Sequence, residues 1–149
     1  MLIRPLWIMR NYILRMLNYP SIGARALVIK DDAVLLIRHT YESGWFTIGG
    51  AVDKNETFVQ AVIRELHEEV GLTPLQPPVL FGVYLNRYFG RDDYIAFYLV
   101  KEFTMEEAYS HEIAEMKWFK LDALPEGISP ATKRRVEEYI GQREKSEKW

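Results

Sequence analysis

Residues 49–72 read Gly49-Gly50-Ala51-Val52-Asp53-Lys54-Asn55-Glu56-Thr57-Phe58-Val59-Gln60-Ala61-Val62-Ile63-Arg64-Glu65-Leu66-His67-Glu68-Glu69-Val70-Gly71-Leu72. Gly49 and Gly50 predict a loop, because glycine permits backbone conformations and close approaches that a side chain blocks. Asp53-Lys54-Asn55 predicts a turn, with Asn55 able to adopt a left-handed conformation. A helix follows. Thr57 and Gln60 have capping-box spacing, in which each side chain satisfies a free backbone amide of the other. Gly71 suits the left-handed position that ends a helix.

This helix has two faces. At about 100° per residue, Val59, Val62, Ile63, Leu66 and Val70 share one stripe, which is expected to face a core. Glu65, Glu68 and Glu69 gather on another sector. Like charges at these spacings destabilise a helix by about 0.2–0.5 kcal/mol per pair. A bound cation would offset that repulsion, and a purely oxygen donor set suits a hard ion, Mg2+ or Mn2+, better than zinc. The competing reading is a solvated acidic face, since surface helices are rich in glutamate. Against it stand Arg64, the helix's only permanent cation, and Glu56 just before the helix. A pair between them would hold the glycine segment over the carboxylates.

The segment resembles the Nudix box: Gly, five residues, Glu, seven residues, then Arg-Glu-apolar-X-Glu-Glu-X-Gly-apolar. Gly50, Glu56, Arg64, Glu65, Leu66, Glu68, Glu69, Gly71 and Leu72 fill every fixed position. Family members often enter the box through Pro-Gly-Gly and carry Gly before the first Glu; this chain has Ile48-Gly49-Gly50 and Asn55 there. The resemblance implies an α/β fold, the Nudix-type α/β/α sandwich with a mixed β-sheet. It implies hydrolysis of a nucleoside diphosphate linked to another group, with Mg2+ (or Mn2+) held by Glu65, Glu68, Glu69 and the Gly49 carbonyl. It also implies an acidic residue in a later loop that completes the metal site or acts as base. Glu112 is the candidate for that role, with Glu106, Glu107 and Glu115 as competitors and His111 as an alternative base. Whether Glu65 or Glu112 is the base stays open. Gly50, Glu56 and Arg64 take structural roles in the box.

The chain has 149 residues, enough for one domain with a substantial core. Apolar residues make up 48% and charged residues 27%, ordinary for a globular protein. The formal net charge of −2 argues against a nucleic-acid backbone binder; the resemblance implies a nucleotide small molecule as the partner. With no cysteine there is no disulfide framework, thiolate metal site or cysteine nucleophile. That is compatible with a cytoplasmic location, which is the expectation here.

Residues 1–20 form an amphipathic segment, apolar but broken by Arg4, Arg10 and Arg15. It is too short and charged for a transmembrane span and lacks the form of a signal peptide. It is expected to pack on its own domain or on a partner subunit, so a homodimer is one option; a helix lying on a membrane surface is the other. Residues 21–141 carry the domain. Strands are expected at Gly23–Ile29, Ala33–Arg38, Leu80–Phe89 and Tyr94–Phe103, the last two joined by a turn at Gly90–Asp93. Trp45–Ile48 delivers the glycine segment. Arg38, His39 and Tyr41 stand near the substrate mouth, and Arg38 suits a phosphate; the alternative for all three is a solvent-facing strand end. Thr104–His111 reads as a loop with room for a helical turn. Glu115–Leu121 reads as a strand burying Trp118 and Phe119, and Ser129-Pro130 opens a last helix. Residues 142–149 read as a frayed polar tail.

Two alternatives to hydrolysis remain. A catalytically silent nucleotide-binding sensor on the Nudix fold would be expected to have lost the Arg-Glu-X-X-Glu-Glu segment, which is intact. An isoprenoid diphosphate isomerase would need a catalytic cysteine, and there is none.

Overall fold

The computed structural model describes residues 3–149, with side chains described from Pro5 onward. The first two residues of the N-terminal segment lie outside the described residues. In chain order the elements are α1 (Ile3–Met16), β1 (Ser21–Lys30), β2 (Ala33–His39), β3 (Ile48–Ala51), α2 (Phe58–Val70), β4 (Leu72–Pro74), β5 (Val79–Tyr88), β6 (Arg91–Val100), β7 (Phe103–Met105), β8 (Ile113–Lys120) and α3 (Pro130–Tyr139).

The main sheet has the order β5-β6-β1-β2-β8, with β3 also paired to β1. It is mixed: β1 runs parallel to β6 and antiparallel to β2 and β3. Alternation along β1 splits the core in two, as a strand with period two must. Ala24, Ala26 and Val28 join Val62, Leu66 and Val70 of α2 on one side. Leu27 and Ile29 join Tyr84, Phe97 and Val136 of α3 on the other. The result is the expected α/β/α sandwich.

Several boundaries differ from expectation, each for a physical reason. Gly49 and Gly50 are in a strand, not a loop. Gly49 has φ 146°, and a Cβ there would lie 2.3 Å from the Ala24 carbonyl oxygen. Close approach to β1, rather than a turn, requires glycine. The second hairpin turns at Phe89-Gly90, both with positive φ, so β6 starts at Arg91 instead of Tyr94. Residues 72–74 and 103–105, expected as loop or strand end, pair as β4 and β7, and no helical turn forms in 104–111. Ile63, at the margin of the apolar stripe, is 37% exposed. Trp118 and Phe119 are half-buried, not buried.

The last segment is not frayed. The Trp149 ring packs edge-on against Tyr84 and Phe97, with centroids at 5.7 and 5.3 Å. The Leu85 N–H donates to the Glu147 carbonyl at 2.7 Å, and the Trp149 N–H donates to the Leu85 carbonyl at 3.0 Å. Beneath it, Arg135 and Glu138 form a fully buried ion pair at 2.8 Å. Polar composition hides this docking because the polar groups bond to the body.

Helix α1 touches the domain at few points. Trp7 packs edge-on to Phe89 at 5.1 Å, and the Arg91 guanidinium donates to Asn11 Oδ1 at 3.3 Å. Among the described residues, no helix is long and apolar enough to cross a membrane.

Candidate active site

The glycine strand, the turn and α2 form one hydrogen-bonded unit. Thr57 and Gln60 make both bonds of the capping box, at 3.1 and 2.9 Å. Asn55 has φ 63°, so the left-handed turn position is filled by the residue type that tolerates it after glycine. Gly71 closes the helix at φ 66°. Arg64 then ties the unit together. Its Nε and Nη2 donate to the two Glu56 oxygens at 2.8 and 3.0 Å, and Nη2 also donates to the Ala51 carbonyl. Glu56 in turn accepts from the Asp53 N–H at 2.9 Å. The Arg64 hydrogen bonds hold the Glu56 carboxyl below its usual range.

Gly50 is placed under Glu65: a Cβ on Gly50 would stand 2.6 Å from Glu65 Oε1. Arg64 Nη1 also donates to Glu65 at 2.8 Å and to Glu68 at 3.3 Å. Glu69 is 8% exposed, and its Oε2 is buried with no partner. Burial, and then the Glu65 carboxyl beside it, push Glu69 up to about 9. Two crowded carboxyls, one with an orphaned buried oxygen, are a poor end state without a cation. The donor set, all carboxylate, fits a hard divalent ion. Among the described residues no three acidic or histidine side chains already converge at ligating spacing. Arg64 engages Glu65 and Glu68 in this arrangement.

A cavity of about 630 Å³ opens over this face and gathers Glu65, Glu68, Glu69 and Glu112. Glu106, Glu107 and His111 share it. Glu115 does not: it pairs with Arg38 at 3.0 Å on β8. Arg38 also lies over the Trp45 ring and lines neither large cavity, so the structure turns it away from the substrate mouth expected for it. A bulge at Arg38/His39 puts the next side chain elsewhere.

His39 and Tyr41 line a second cavity of about 560 Å³, which reaches Gly50 and so adjoins the carboxylates. Their rings stack at 4.9 Å. Burial, then the charge of Arg25, lowers His39 below the usual histidine value. Burial, then Glu112 and Glu69, pushes Tyr41 up to about 12. Tyr41 thus lies in the field of both the acidic face and Arg25.

Arg25 is a site residue that the sequence reading misses. It lines the second cavity from β1 and donates to the Thr47 carbonyl at 3.0 Å. The signal was a lone cation inside an otherwise apolar strand. Arg91, Asn11 and Arg10 line the same cavity and were also missed. They arrive from β6 and α1, and no local spacing links them to the box.

The NUDIX domain family matches residues 20–139. The chain is 37% identical over 73 residues to the ADP-ribose pyrophosphatase of Methanocaldococcus jannaschii, a match covering 47% of this chain and 43% of that protein. It is 34% identical over 125 residues to the NAD-capped RNA hydrolase NudC of Vibrio vulnificus, covering 74% of this chain and 43% of the relative. The chain therefore spans less than half the length of these curated relatives. Among solved structures, a MutT NUDIX hydrolase from Burkholderia pseudomallei superposes with TM-score 0.70 at 28% identity, covering 79% of this chain and 96% of that one. The chain belongs to the Nudix hydrolase family.

Proposed function

We propose that this protein is a divalent-cation-dependent pyrophosphohydrolase acting on a nucleoside diphosphate linked to another group. The observation that carries this reading is the buried, unpartnered Glu69 oxygen beside Glu65, which is itself packed against Gly50, at the join of an acidic and a cationic cavity. Glu65, Glu68, Glu69, Glu112 and the Gly49 carbonyl would hold the ion. When bound, Mg2+ (or Mn2+) supplies the positive charge a diphosphate requires and makes an attacking water more acidic.

The chain's own groups do the rest. Arg25 meets the anionic substrate from β1. His39, stacked on Tyr41, offers a flat surface and a ring nitrogen to the nucleoside portion. A carboxylate, Glu65 or Glu112, takes the proton of the attacking water. The water oxygen bonds to one phosphorus, the bridging P–O bond breaks, and the other phosphate leaves with those electrons. Arg64 and Glu56 keep the glycine strand registered over α2. Names of relatives span ADP-ribose and capped RNA, so the second group on the diphosphate ranges from a sugar to a nucleotide chain.

The test is product release from a panel of nucleotide diphosphates with Mg2+, beside Glu68→Gln. Turnover that drops at least about 100-fold in the variant supports the reading, a loss of the size typical for removing one electrostatic group from a transition state. Nucleotide binding without turnover by the wild type would reject it in favour of a sensor.

A further inference from the structure

The arginines of this protein differ in their partners. Arg38, Arg64, Arg87, Arg135 and Arg143 each have a carboxylate within 4.0 Å. Among the described residues, Arg10, Arg25, Arg91 and Arg134, which line the second cavity, have no side-chain carboxylate that near, and Arg134 donates to the Trp149 carbonyl instead. Arg91 is the most unusual of the four. It is 5% exposed, yet its one side-chain partner is the neutral Asn11 Oδ1, and its Nε has no acceptor. Asn11 is 4% exposed, and its Nδ2 is likewise without an acceptor. Asp93, an acid in the same cavity wall, accepts instead from Ser21 Oγ and from Asn86 Nδ2. Burying an unpaired guanidinium is costly, as is burying a donor with no acceptor. Two such donors side by side, with Arg10 on the same wall, form an incomplete anion site.

We infer that Arg91 and Asn11 are a specificity subsite for a phosphate group carried by the substrate at a distance from the bond that is cut. The inference rests on the proposed hydrolysis and adds the feature by which the substrate is chosen. Arg91 would supply the charge and a planar fork of donors; the Asn11 amide would supply a further donor. Both residues already line the second cavity, which also reaches Gly50 and so gives the phosphate its way in. The phosphate could belong to a ribose monoester or to the end of a polyphosphate chain.

The experiment compares kcat/KM of the full chain with Mg2+ on ADP-ribose, its 2′-phosphate and ATP. The phosphorylated ribose or the triphosphate should be preferred by about 10- to 100-fold, as for hydrogen bonds to a charged group. Preference for one of the two identifies the source of the phosphate. Arg91→Met should bring the ratio close to one. Asn11→Asp separates a subsite from a mere tether: a carboxylate facing Arg91 holds α1 at least as firmly, but it fills the anion site. The ratio should therefore collapse with no loss of thermal stability. Preference retained in Asn11→Asp, or no preference in the wild type, would overturn the inference. If nothing is hydrolysed, the same three ligands are titrated calorimetrically. A matching order of Kd that Asn11→Asp abolishes still supports the subsite, while the hydrolytic reading fails separately.

Discussion

Gly50 and Glu65 share one volume: the space a β-carbon on Gly50 would take is occupied by a Glu65 carboxylate oxygen, 2.6 Å from that position. The glycine of the box is set by the side chain of a residue on α2, fifteen positions further along the chain, not by its own torsions. Gly50→Ala should therefore push aside the flexible end of Glu65 and do little to the backbone. Activity is expected to fall about 100-fold, while stability changes by less than about 1 kcal/mol, as for a substitution that displaces only a side-chain tip. Parallel measurement of kcat and thermal midpoint checks this. A large drop in the midpoint would mean the strand itself had moved.

Arg64 holds five oxygens from Glu56, Ala51, Glu65 and Glu68. Arg64→Lys keeps a charge but not the fork, and should not recover this spread of bonds. A loss of about 1–3 kcal/mol in urea unfolding is expected. An Arg64→Lys protein as stable and active as wild type would show the geometry to be dispensable.

Acid should act through Glu56. Its folded carboxyl lies below the usual glutamate value of about 4.5, because Arg64 and the Asp53 amide bond to the ionised form. A group depressed in this way contributes stability above the unfolded value and loses it as pH falls through the folded one. Wild type should lose stability below about pH 4.5 more steeply than Glu56→Gln, which has no such proton to take up. Parallel slopes in that window would remove Glu56 from the account.

Glu138 accepts from buried Arg135 and from the Tyr84 hydroxyl at 2.8 Å. Glu138→Ala would leave a fully buried guanidinium beneath Trp149 unpaired. The expected cost is about 3–5 kcal/mol. Near-UV circular dichroism should show Trp149 and Tyr84 losing their fixed environment. A cost near zero would mean that Arg135 finds water or another acceptor.

How much of this could be read from the chain depended on distance along it. The capping box, the Gly71 stop and the Arg64–Glu56 pair lie within residues 56–71, and each appears as expected. The gathering of Glu65, Glu68 and Glu69 followed from helical spacing, whereas Glu112 came from resemblance alone. What escaped was non-local. Arg91 meets Asn11 across 80 residues, and Arg25 reaches the cavity because β1 lies between β6 and β3. Arg38 and His39 show the limit of strand alternation. A bulge falls between them, and only the register with β8 reveals that Arg38 pairs with Glu115. Trp149 looked like the end of a polar run because nothing nearby hints at the Tyr84 and Phe97 rings it packs against.

β1 offers one edge to two different partners in turn. Gly23 to Ala26 pair with β3, while Ile29 and Lys30 pair with β2. The strand bearing Gly49 and Gly50 and the strand leading to His39 and Tyr41 are thus anchored to separate stretches of a common support. Drift in the second stretch need not be transmitted to the first. A lineage built on this plan can revise what it recognises while leaving intact the place where the bond is broken.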